Sequence, residues 1–332
     1  MVNALTRDRT RTVERLSPAL LIGAKNLVRG RVAKSEISSD PTLISGQLGV
    51  RRKNEHCVEL EPFGNTARNV YASGIGITIV MMCGISIVGL SIVSEPISWR
   101  VAIMPIGLSL VAVVLSTLLY LCTRLLSGKF RGGFIRIHRG TRKLYFVTPR
   151  DQRLLTLEWD EIRALAGYIP IVSAGGYTSR YPLYLIATDW TQSPPKEICV
   201  SCGNLGWRDG GSSAKELWDY LQIFMEHGAD ALPQPPPIPP RLSRKETFLR
   251  FYRDWADKYR RDLATPKGKR WAILVIPAKI LALICIVFPD SLAEFIEYNV
   301  PYTSFPKEID ALCGFKEKRV PIMRLNGERI DS

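Results

Sequence analysis

Three histidines, seven cysteines and one adjacent acid pair are the side chains in this chain best suited to reaction chemistry. His56, His138 and His227 are far apart in sequence, and none has a local partner of the kind a general base or a metal ligand needs. His138 falls on a predicted strand and His227 at a predicted helix end, where a cation complements the dipole. Cys199-Val-Ser-Cys202 has a spacing that can supply two zinc thiolates. A structural zinc site takes four ligands, and no second pair accompanies this one. Cys199 and Cys202 are therefore expected as one buried strand cysteine and one turn cysteine. Asp160 and Glu161 resemble a carboxylate pair, but neighbouring side chains on a regular element point apart, so a surface or capping role is expected. No HExxH, GxSxG, GxxxxGK[ST] or EF-hand loop occurs. The expectation is a protein that is not an enzyme, with no catalytic, cofactor-binding or metal-ligating residue and no cofactor.

The elements that would carry any site are dominated by two uncharged runs, Tyr71 to Ser94 and Val101 to Thr123. Each exceeds the ~20 residues a helix needs to cross a bilayer core of about 30 Å. Only Glu95, Pro96, Ile97, Ser98, Trp99 and Arg100 separate them, which is enough for a turn and too little for a domain. The pattern predicts a transmembrane helical hairpin over 71–124. Both flanks are basic, with Arg51, Arg52, Lys53 and Arg68 before it and Arg124, Lys129, Arg131 and Arg136 after it. Positive flanks are retained in the cytoplasm, so both ends are expected there. The formal charge of +14 is read as loop retention and attraction to anionic lipid headgroups, with no nucleic acid partner. A third apolar segment, 271–288, contains Pro277 and Lys279. Three states stay open for it: a crossing that exports the tail, a re-entrant or interfacial helix, and the core helix of a soluble domain. A lysine at the bilayer centre costs ~2.5–3.5 kcal/mol on insertion scales.

After the hairpin the periodicity becomes two. Gly133 to Arg139, Lys143 to Val147 and Arg153 to Trp159 read as a β-meander, followed by strands at Pro182–Thr188 and Glu197–Ser201. Ser173 to Tyr181 reads as a Gly- and Tyr-rich loop. Ser213-x-x-Glu216 has the form of a capping box ahead of an amphipathic helix that stops at Gly228. The fold class expected is an α+β membrane protein: the hairpin, then a small β-roll or barrel of pleckstrin-homology-like type closed by a helix, then a basic helix and a third apolar helix. The corresponding segments are a basic cytoplasmic N-terminal region over 1–70, the hairpin, and a cytoplasmic β-rich domain over 129–230. A polyproline linker over 233–240, a basic aromatic helix over 242–270, the apolar segment 271–288 and a tail over 289–332 follow. Six of the eight residues from Pro233 to Pro240 are proline, which favours stiff polyproline II. The aromatics of the basic helix either enter the membrane surface or pack on the preceding domain. Ala72 and Gly76 form a small-xxx-small pair suited to close helix packing.

This layout resembles a family of proteobacterial inner-membrane proteins with an uncharacterised domain, often encoded near type VI secretion effectors. The residues that carry the likeness are Leu157-Glu-Trp-Asp-Glu-Ile162, Phe224-Met-Glu-His-Gly228 and Pro306-Lys-Glu-Ile-Asp-Ala-Leu-Cys313. The resemblance implies a multi-pass protein of the bacterial inner membrane that neutralises a cognate secreted toxin as its immunity protein. It implies a binding surface and no catalysis. The alternative is a lipid- or protein-binding membrane adaptor built on the cytoplasmic domain.

Overall fold

The computed structural model describes residues 12–30, 49–92, 99–173, 176–203, 210–238, 241–315 and 322–323. The predicted turn residues 95–98, Pro239 and Pro240, and most of the tail beyond Phe315 lie outside the described residues. The protein is mixed α+β and divides into two compact units. One comprises Met1–Gly64, Gly132–Ile238 and Tyr302–Glu317; the other comprises Asn65–Arg131, Pro239–Pro301 and Lys318–Ser332.

The first unit is built on strands β1 (Lys25–Asn26), β2 (Val50–Lys53), β3 (Cys57–Leu60), β4 (Ile135–His138), β5 (Lys143–Val147), β6 (Leu154–Glu158), β7 (Arg163–Ala166), β8 (Ile169–Ser173), β9 (Gly176–Arg180), β10 (Leu183–Asp189) and β11 (Lys196–Cys202). One antiparallel sheet has the order β2-β3-β4-β5-β6, the other β1-β7-β10-β11, and β8-β9 form a separate hairpin. The sheets meet where Pro62 bridges Cys202 and the Gly203 amide donates to the Glu61 carbonyl at 2.9 Å. A helix over Ser212–His227 closes the unit, burying Leu217, Trp218, Leu221 and Phe224 against Leu60, Ile135, Leu144 and Leu185. Each fully buried Leu, Ile or Phe contributes roughly 1.5–3 kcal/mol, so this one core supplies most of the driving force.

Three sequence expectations change here. The N-terminal segment is not one region ahead of the hairpin: Val50–Lys53 and Cys57–Leu60 belong to the first sheet, and Leu60 lies opposite Ile135. All four side chains of β3 are buried, including Glu59, so its polar member conceals the strand in the sequence. The Gly- and Tyr-rich stretch is a hairpin with Ile169 opposite Arg180, not a loop. Ser213 does not cap the closing helix. That helix is capped two residues earlier by Gly211, whose φ of +100° lies in the left-handed region that glycine tolerates best.

The second unit holds α1 (Phe63–Ile92) and α2 (Trp99–Ser127); α3 is the closing helix of the first unit. After α3 come α4 (Arg244–Ala264), α5 (Pro266–Arg270), α6 (Ala272–Ala282), a π-helical turn (Leu283–Val287) and α7 (Phe288–Glu297). Three helices are long and apolar enough to cross a membrane: Phe63–Val88, Pro105–Cys122 and Ile276–Glu297. The third extends nine residues past the apolar run at 271–288 and continues through Pro289. The π turn lies just before the residue that lacks an amide donor. A side-chain N-cap does occur, on α4: Ser243 Oγ accepts from the Glu246 amide at 3.3 Å and donates to the Glu246 carboxylate at 3.1 Å. Within this unit the small pair Ala72/Gly76 is used as its spacing suggests. Ala72 and Gly76 are buried, and a Cβ on Gly76 would sit 2.5 Å from Pro289 Cα.

Candidate functional site

The densest charged arrangement in the β unit forms around Glu59 at the centre of β3. Its carboxylate is wholly buried and accepts from Arg51 Nη1 at 2.8 Å, Arg52 Nε at 2.8 Å, Arg52 Nη2 at 2.7 Å and Arg136 Nε at 2.9 Å. Strand pairing brings these groups together: Glu59 lies opposite Arg52 on β2 and Arg136 on β4. Arg136 also donates through Nη1 to Asp310 of α8 (Lys307–Leu312) at 2.5 Å. The guanidiniums stack on rings, Arg51 at 3.8 Å from the Phe134 centroid and Arg136 at 3.9 Å from that of Phe305. Burial alone would push the Glu59 carboxyl up, but the Arg52 hydrogen bond and the charges of Arg51, Arg52 and Arg136 outweigh it. The carboxyl is held below its ordinary range. Burial opposes the charge on Arg136, but its bonds to Asp310 and Glu59 hold that guanidinium above its usual value.

Arg51 and Arg52 keep about a quarter of their side-chain surface open, 26% and 27%. A fixed cationic edge flanked by aromatic faces can recognise an acidic group on a partner by charge-assisted bonds. Its charges are held in ion pairs with Glu59. Beside it, Cys57 and Cys313 lie in one buried cluster with Phe134, Tyr145 and Phe315. Asn54 clamps both, accepting from the Cys57 amide at 2.7 Å and donating to the Cys313 carbonyl at 2.7 Å. Burial and the hydrogen bond shared with Cys313 raise the Cys57 thiol, and the same bond lowers that of Cys313.

The sequence-derived candidates fall as follows. His56 and His138, far apart in sequence, are brought near each other, their ring centroids 6.4 Å apart. The strand pairing that puts Cys57 opposite His138 is responsible, across a gap the sequence fills with two long helices. Burial and the neighbouring His56 lower the His138 pKa, and its Nδ1 accepts from the Thr141 amide at 3.0 Å. His227 ends α3, as its position suggests. Cys199 and Cys202 both lie on β11, and they belong to different apolar clusters. Burial pushes the Cys199 thiol up to about 12. Among the described residues no group of three or more His, Cys, Asp or Glu could hold a metal ion. Asp160 pairs with Arg142 at 2.5 Å, whereas Glu161 accepts from Trp190 Nε1 at 2.8 Å, so the two acids diverge. The Glu59 cluster is hidden in the sequence because Arg51-Arg52-Lys53 reads as a membrane-flanking basic run.

In the second unit, Lys279 donates to Asp262 Oδ2 at 2.7 Å, so the lysine of the third apolar helix has a partner on α4. Phe248 of α4 packs edge-on to Phe295 of that third apolar helix at 5.9 Å, a neighbour within the helical unit. Arg68 and Glu297 form a buried ion pair, and Arg68 Nη1 also donates to the carbonyls of Gly128 and Phe130 at 3.0 Å. No protein-family model, curated protein or solved structure matches this chain.

Proposed function

We propose that this is a non-enzymatic, membrane-anchored binding protein of the bacterial inner membrane, with a pleckstrin-homology-like β unit held on the cytoplasmic side. One observation carries the anchoring. The chain leaves β3 at Leu60, runs through two long apolar helices, and re-enters the same sheet as β4 with Ile135 opposite Leu60. Two crossings return a chain to the side from which it left, so a hairpin spliced between paired strands satisfies both the bilayer and the sheet. The basic flanks, Arg51 to Lys53 and Arg124 to Arg136, favour the cytoplasm for that side.

The partner proposed first is a secreted effector that the protein neutralises, a reading supported by the resemblance described above. The Arg51 and Arg52 edge beside Phe134 also suits an acidic lipid headgroup, which supports the adaptor reading. A tagged full-length protein drawn from gently solubilised native membranes separates these readings. Stoichiometric recovery of a neighbour-encoded protein that is toxic when expressed alone, and harmless when co-expressed, supports immunity. Recovery with lipid alone removes that role and leaves the adaptor. The anchoring has its own test: Ile97→Cys should react with an impermeant maleimide from the periplasmic face and Arg150→Cys only from the cytoplasmic face.

A further inference from the structure

The chain segment between the β unit's two later portions begins after Ile238 and ends before Tyr302. Leu232 before it and Phe305, Cys313 and Phe315 after it are buried in the cores of that one unit. Both ends therefore lie on one side of any bilayer. Within the segment, α4 runs antiparallel to the third apolar helix along its length. Tyr298 Oη donates to the Leu242 carbonyl at 3.1 Å, Arg250 pairs with Glu294 at 3.1 Å, and Lys279 pairs with Asp262 at 2.7 Å. A crossing by Ile276–Glu297 would require α4 to cross as well. Eleven of the 21 residues of α4 are charged, among them Arg253, Asp254, Asp257, Lys258 and Arg260, all exposed. Such a helix does not enter hydrocarbon.

The opposite side of the pair is apolar. Ile280, Leu281, Ile284 and Ile286 are exposed, Leu281 by 62%. The apolar helix packs against the apolar run of α1: Ser73 donates to Asp290 at 2.8 Å, and Gly76 lies so close to Pro289 that an added Cβ would sit 2.5 Å from its Cα. We infer that α4 and α6–α7 form a two-helix paddle that lies in the cytoplasmic leaflet, with α4 facing water and the isoleucine–leucine face of α6 and the π turn set among acyl chains. The occupant of that face is lipid. Its length allows a crossing, but its partner helix keeps it in the plane. The inference rests on the membrane reading above and has a separate test.

The test uses full-length protein in native membranes, with Cys83, Cys122 and Cys285 changed to alanine. Lys267→Cys, at the turn between α4 and α6, should react with impermeant maleimide only from the face that labels Arg150→Cys. Reaction from the opposite face alone means that the helices cross, and overturns the inference. A fluorophore on Leu281→Cys should be quenched severalfold more by nitroxide-labelled lipid than one on Asp257→Cys. Equal quenching, or the reverse, means that the apolar face does not meet lipid, and also overturns it. If Ile97→Cys and Arg150→Cys label from one face, the hairpin reading fails while both paddle measurements remain decisive on their own.

Discussion

Glu59 occupies a place where a carboxylate is costly to bury, and three guanidiniums offset that cost. Removing one member of such a buried cluster leaves uncompensated charge, which destabilises by about 3–5 kcal/mol. Glu59→Ala should lower the unfolding free energy of detergent-solubilised protein by that order, read by denaturant titration. The folded pKa of Glu59 lies below its unfolded value, which is about 4.3 for a free glutamate. Its contribution is therefore fully present above that unfolded value and is lost as pH falls through the folded one. Glu59→Gln should flatten the acid limb of the stability profile between about pH 4.3 and the folded value while leaving its slope near neutrality unchanged. None of this network is legible in the sequence. Arg51, Arg52 and Arg136 look like retention signals, and only the pairing of β2, β3 and β4 shows that they converge on one carboxylate. The buried pair Arg68–Glu297 is similar in kind, and Arg68→Ala should cost ~3–5 kcal/mol by leaving Glu297 alone.

Elements with a clean period were readable. The strand at Leu154–Glu158 alternates in burial, Lys143–Val147 stands out as a short apolar run after a turn, and α3 shows one apolar face. β3 was not, because all its side chains are buried and one is charged; β7, Arg163-Ala-Leu-Ala, is too short and small to stand out. The sequence carries a capping signal at Ser213, where a glycine sets the helix start instead, and another at Ser243, where it operates. Gly211→Ala should cost ~1–3 kcal/mol, because an L side chain is strained at its φ, measured as a lower thermal midpoint. The small pair on α1 was legible, but not its partner. Gly76→Leu should force α1 and α7 apart at Pro289, destabilising by ~1–3 kcal/mol from overpacking. The direct readout is the disulfide yield between Ser73→Cys and Asp290→Cys, which should fall when Gly76→Leu is added.

At the scale of the whole molecule, the β unit is assembled from three separate stretches of chain, and the helical unit fills the gaps between them. Replacing 65–131 with a short Gly-Asn turn and 239–301 with a flexible linker should give a soluble β-rich protein, because Leu60 and Ile135 are already strand neighbours. Cooperative thermal unfolding of that product supports the division, and aggregation of it from the outset argues that the two units fold only together.

The same splice sets an order of events during synthesis. From Leu60 to Ile135 is 75 positions, so at about 5–20 residues per second the ribosome needs roughly 4–15 s to supply β4 after β3. Throughout that interval β2 and β3 wait without β4 while the two apolar helices are made. The tail that packs Phe305 and Phe315 onto the unit arrives last. On the membrane reading proposed above, delivery to the bilayer therefore precedes folding of the β unit, and a chain that misses its insertion site is left with an open sheet edge for chaperones and proteases to recognise.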